Sequence, residues 1–168
     1  MITAFTLLSL LTFVAFLGVS FYKFGILSSY SSYAAKWTET VPLDPHTHLW
    51  SIVTVIVAIL LAPAMLEVAD ESPVQFLGFF APAYLIVVAM TPEWETKIGQ
   101  RMIHYGGTIV CAWASILWLV LALRLWFLIP ICLAVFAAVG YFTKTLKTSH
   151  VLWGELSLFA AVYAAALI

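Results

Sequence analysis

The sequence predicts an all-α, polytopic integral membrane protein: one domain over residues 1–168, a compact bundle of six transmembrane helices with both chain ends on the non-cytoplasmic side. Three observations carry this. Of the 168 residues, 64% are hydrophobic and 9% charged, and the mean hydropathy is +1.09. A soluble domain has about 25% charged residues, so polar side chains are too few here to cover a globule in water, and lipid must solvate most of the outside. The apolar residues come in runs of spanning length or close to it. Within those runs the period-2 alternation of a lipid-embedded barrel is missing: residues 52–61 are apolar on every face save Thr54.

Charged and proline-rich punctuation sets the spans in order. The first covers about 3–22. It has no Lys or Arg before Lys23, and Gly18-Val-Ser20 is followed by Phe21 and Tyr22, so it reads as a retained helix and not as a cleaved signal peptide. The second covers about 49–66 and ends at Glu67; Asp44 or Thr47 is expected to cap it. The third covers about 74–91, closed by Thr91-Pro92-Glu93, and the fourth about 103–122, closed near Arg124. The fifth, about 126–142, follows so closely that the two form a tight helical hairpin. The sixth covers about 151–168. Pro63, Pro82 and Pro130 fall inside the second, third and fifth spans, where each removes a helix hydrogen bond.

Basic residues orient the bundle. The loops joining spans one to two, three to four and five to six hold Lys23, Lys36, Lys97, Arg101, Lys144 and Lys147, while the other side holds Arg124 and the acids Glu67, Asp70 and Glu71. Positive charge marks the cytoplasmic side. Trp37, Trp50, Trp94, Trp126 and Trp153 sit near span ends as an interfacial belt, whereas Trp113 and Trp118 lie deeper. Short loops on the far side suit a bacterial inner membrane, and membrane lipids are the expected surroundings. A net charge of −1 and the lack of a basic stripe argue against nucleic acid as a partner. Cys111 and Cys132 read as small buried hydrophobes.

The functional question comes from Pro42-Leu-Asp-Pro-His-Thr-His-Leu-Trp50, a polar stretch directly before an apolar run. His48 opens the second span, His104 the fourth and His150 the sixth, with His46 just before His48, so all four histidines gather on the cytoplasmic side. Three imidazoles at one level suit zinc, whose catalytic sites pair three protein ligands with an activated water. On this reading His48, His104 and His150 bind the metal. Glu155 moves protons, Ser51 and His46 orient water or substrate, and Asp44 and Glu95 approach the same rim. Trp50, Tyr105 and Trp153 enclose a lipid-like ligand, and Gly106-Gly107 permits close packing or ligand approach. The expected reaction is hydrolysis of a lipid-like ester or amide near the cytoplasmic interface. The three histidines resemble the theme of zinc-containing ceramidase-like membrane hydrolases. Those have seven helices and a histidine motif that this chain does not show, so the resemblance extends to the chemistry only.

Other readings start from the same residues. Histidine also serves at membrane interfaces by hydrogen bonding alone, and no HExxH or similar local motif is present. The spans are nearly uncharged, with Thr54, Thr108, Ser115 and Ser157 as their main polar groups. This disfavours transport of a hydrophilic substrate. It leaves non-catalytic binding or transport of a small, largely apolar molecule, and a structural or assembly role.

Overall fold

The structure, a computed structural model, describes residues 2–40, 48–92 and 96–168, without the side chain of Ile2. Seven α-helices and no strands occur among them: α1 (Ile2–Phe24), α2 (Ser32–Thr40), α3 (Leu49–Glu67), α4 (Leu77–Ala89), α5 (Ile98–Leu117), α6 (Leu128–Phe142) and α7 (His150–Leu167). Among the described residues α1, α3, α5 with its continuation to Ala122, and α7 are long and apolar enough to cross a membrane, and α4 and α6 are shorter apolar helices. At 1.5 Å per residue, α4 extends about 20 Å against a hydrocarbon core of about 30 Å.

The helices fall within a few residues of the expected spans, with one addition. Residues 23–48 read as a connector, yet they contain α2, a nine-residue helix that buries Tyr33, Ala34 and Trp37. Gly25 ends α1 in the left-handed region (φ 73°), where a residue without Cβ is unstrained. The Tyr33 hydroxyl then closes the turn, donating to Gly25 O at 2.8 Å and accepting from the Leu27 amide at 3.1 Å. Burial raises the Tyr33 phenol above its ordinary pKa, so the hydroxyl keeps the proton it donates. Trp37 reaches back to α1, its indole donating to Ser20 Oγ at 2.8 Å, while Lys23 lies 4.8 Å from its ring centroid.

α1 buries a stripe of Thr6, Ser9, Phe13, Phe16 and Ser20, the three-and-four spacing of one helix face. Ser9 uses its only proton on Val57 O of α3 (2.9 Å), so the Tyr163 hydroxyl of α7 must be the donor in their 2.8 Å contact. One small hydroxyl thus joins three helices where water is scarce.

α3 and α4 meet at Gly78: a Cβ there would stand 2.7 Å from Met65 O. Trp118 of the α5 continuation donates its indole proton to that same carbonyl at 3.0 Å. Trp118 is fully buried and Trp113 is 59% exposed, so one deep tryptophan packs helices and the other faces outward. α4 and α5 approach at Gly107, whose Cβ would stand 3.2 Å from Val88; at Gly106 no atom lies within 4 Å. The close-packing expectation therefore holds for the second glycine of the pair.

α5 does not stop at Leu117. It widens into one π-helical turn, Trp118–Ala122, and ends at Arg124, a non-glycine residue at φ 59°. The tight hairpin into α6 follows. Pro130 lies in the first turn of α6 and not in its interior; there the missing N–H would have had no helical partner. α6 packs on α7 at Gly140, where a Cβ would stand 2.8 Å from the Trp153 ring.

Candidate functional site

The segment between α1 and α3 organises the cytoplasmic-side end expected from the sequence. Tyr30 is the anchor. Its ring packs against Phe13 (5.5 Å between centroids), Trp50 (5.6 Å) and Phe159 (5.9 Å). Thr54 already donates to Trp50 O, so the Tyr30 hydroxyl donates to Thr54 Oγ1 at 3.0 Å. Burial pushes the Tyr30 phenol well above its usual pKa, which keeps it a neutral donor. The Tyr30 amide donates to Glu155 Oε2 of α7 at 2.7 Å, and Ser28 O accepts from the Leu152 amide at 3.0 Å.

The histidines attach to this region in different ways. His48, just before α3, contacts Thr38 Oγ1 of α2 through Nδ1 at 2.8 Å; Thr38 donates its own proton to Ala34 O. His104 is 3% exposed and lies between two hydroxyls: Thr91 Oγ1 at 3.0 Å from Nδ1 and Ser31 Oγ at 2.9 Å from Nε2. Thr91 donates to Val88 O at 2.8 Å, so it accepts from the ring. The neutral imidazole then carries its proton on Nδ1 and receives the Ser31 O–H at Nε2, a tautomer assigned from the bonding pattern. His150 is exposed, with Nδ1 3.3 Å from Lys147 O.

Each of the three described imidazoles therefore has a separate partner, and the feature shared by His48 and His104 is attachment to the 25–40 segment. No group of three or more His, Cys, Asp or Glu side chains gathers as a metal site among the described residues. His46, Asp44, Thr47 and Glu95 lie outside the described residues. The Oγ of Ser51 and the Nε1 of Trp50 are buried without a hydrogen-bond partner among the described residues. Trp50 is wholly buried beneath Tyr30, Trp153 packs on Gly140 with its indole 3.2 Å from Thr145 Oγ1, and Tyr105 is 51% exposed.

A cavity of about 90 Å³ lies between α3, α4, α5 and α7. Leu61 and Met65 of α3, Ala81, Pro82, Leu85 and Val88 of α4, and Leu158, Phe159 and Val162 of α7 make most of its wall apolar. Thr108, Cys111, Ala112 and Ser115 line it from α5, and Tyr30, Ser31 and Glu155 also border it. Thr108 and Ser115 donate back to His104 O and Cys111 O of their own helix. Glu155, the free Cys111 thiol and the Ser31–His104 pair are then the groups on or beside the wall with chemistry to offer. A benzene-binding apolar cavity in another protein measures about 150 Å³, so this one suits an aliphatic group of a few carbons.

Comparison of the chain with protein-family models, curated proteins and solved structures gives no match.

Of the sequence candidates among the described residues, Glu155 alone lines this cavity, and His104 stands behind it through Ser31. Tyr30, Ser31 and Thr91 were missed. Tyr30 and Ser31 had a signal in the run Ser28-Ser-Tyr-Ser-Ser-Tyr33 between two spans, where six uncharged hydroxyls need partners within the protein once buried; Thr91 carried no such signal.

Proposed function

We propose that this multi-pass membrane protein takes up the apolar part of a small amphipathic molecule between α3, α4, α5 and α7 and meets its polar end at Glu155. One observation carries the reading: a largely apolar cavity is bordered by a carboxylate whose one hydrogen bond among the described residues is to the Tyr30 amide. An acid this deep is costly unless it faces water, the bundle interior or a partner, and a ligand donor group is such a partner. Zinc-assisted hydrolysis through His48, His104 and His150 has less support, because Thr38, Ser31 with Thr91, and Lys147 O each engage a different ring. The basic loops and short far-side connections favour both chain ends outside, six spans with α4 and α6 counted, and a bacterial inner membrane.

The test is unfolding of detergent-purified protein with and without 1-butanol, whose hydroxyl can donate to Glu155. A ligand that binds only the folded state raises stability with concentration. The expected result is stabilisation of the wild type and a loss of that response in Ala112→Leu, which fills the cavity from α5. An equal response in both proteins would refute the cavity as the binding site.

A further inference from the structure

We propose that Ser31 is a nucleophile and His104 its general base, forming a metal-independent esterase site at the wall of the cavity. The inference rests on the cavity reading for substrate placement and adds chemistry to it. Ser31 borders the cavity, and its Oγ lies 2.9 Å from His104 Nε2, the reach expected of a nucleophile and its base. The ring is held from behind: Thr91 donates to Val88 O and accepts from Nδ1 at 3.0 Å. That fixes the tautomer in which Nε2 carries the lone pair facing serine. A carboxylate orients the histidine in the well-known triad; here a neutral hydroxyl takes that place, so the site orients the base with less charge stabilisation of the imidazolium.

The rest of the arrangement holds the serine in place. Glu155 accepts from the amide of Tyr30, the residue before Ser31, and Tyr30 is wedged among Phe13, Trp50 and Phe159. Glu155 and Tyr30 are therefore positioning residues. The Ser31 amide makes no hydrogen bond among the described residues and supplies a donor for the carbonyl oxygen, as a nucleophile's own N–H does in other acyl-transfer sites.

The substrate class is an ester with a short acyl chain, sized to the cavity. Ser31 Oγ bonds to the carbonyl carbon as its proton passes to His104 Nε2, and the carbonyl electron pair moves onto oxygen. Collapse breaks the bond to the alkoxy oxygen, which leaves as the alcohol with the proton from His104. Water then repeats the attack on the acyl-serine with His104 as base, releasing the carboxylic acid and restoring the Ser31 hydroxyl. No oxidant, reductant or metal is required.

The experiment is labelling of the full-length protein in detergent micelles with a butyl fluorophosphonate, read by intact mass and peptide mapping. Stabilisation by 1-butanol is measured on the same preparations. One adduct per chain on Ser31 is expected. It should be lost in Ser31→Ala and slowed at least ~10²-fold in His104→Gln, the lower range for general-base assistance, while both variants keep their response to 1-butanol. A wild type stabilised by 1-butanol yet unlabelled at Ser31 overturns the nucleophile and leaves the binding reading standing. Labelling at Ser31 without stabilisation would retain the reactive serine and refute the cavity as its acyl pocket. Absence of both effects refutes both proposals, and equal labelling rates in wild type and His104→Gln overturn the role of the base.

Discussion

Single hydroxyls carry much of the specificity of this bundle. Ser9, Ser31, Thr38, Thr54 and Thr91 each hold together two or more elements, and in each case the direction of the bond follows from a proton committed elsewhere or from a fixed tautomer. In lipid an unpaired hydroxyl has no water to fall back on, although measured interhelical bonds average only about 0.6 kcal/mol. Ser9→Ala removes a bond to Val57 O and leaves the Tyr163 hydroxyl without its acceptor. A loss of about 0.5–2 kcal/mol is expected in detergent unfolding. Thr12→Ala serves as the control, because Thr12 is half-exposed and its side chain bonds, among the described residues, only to Leu8 O of its own helix; its effect should be near zero. Equal losses in the two variants would refute the staple. None of these pairings was legible beforehand, since a serine in an apolar run has the same sequence signature whether it bonds to its own helix or to a neighbour.

At the level of elements, close approach is set by glycine and closed by tryptophan. A Cβ at Gly78 would press on Met65 O and come within 3.1 Å of Trp118 Nε1, so α3, α4 and the π turn share one contact. Gly78→Ala should cost about 1–3 kcal/mol by overpacking, whereas Gly106→Ala, with open space around it, should leave stability unchanged or slightly raised. Thermal unfolding followed by circular dichroism tests this, and a Gly106→Ala loss equal to that of Gly78→Ala would contradict the geometry. The spans themselves were readable because length and apolarity suffice to mark a helix in lipid. α2 was not, because nine residues in which Ser32, Lys36, Thr38, Glu39 and Thr40 interrupt the apolar side chains resemble a loop until Tyr33 and Trp37 find their partners.

For the whole molecule, charge and topology make a joined prediction. Six basic residues, Lys23, Lys36, Lys97, Arg101, Lys144 and Lys147, fall in or beside the loops preceding the histidine-bearing helices, against Arg124 on the other side. With α4 and α6 as spans, alkaline phosphatase fused after Ile168 should be active in a bacterial host, and a fusion after Lys147 should be inactive. The reverse pattern would overturn the orientation. The bundle's asymmetry has a structural counterpart. The end bearing the basic loops is tied together by the 25–40 segment, which bonds to His48, His104, Leu152 and Glu155. The opposite end is held by Trp118 and Gln75, which donate to Met65 O and Leu66 O near the end of α3.

The sequence by itself determined the solvent of this protein and its helices: a chain with so few charges must bury its backbone polarity in helices and present its apolar side chains to lipid. It also placed His48 directly before α3 and His150 at the first residue of α7, because polar residues collect where apolar runs begin; His104, expected to open its span, stands inside α5, which begins at Ile98. Which partner each imidazole takes was decided only in three dimensions. Thr38, Ser31 and Thr91 reach the rings from segments 10, 73 and 13 residues away in the chain, and a side-chain hydrogen bond depends on distance and direction within a few tenths of an ångström. The cavity beside Glu155 has the same origin, since it is the space left where four helices fail to fill one another's grooves, and no periodicity in any one of them records that.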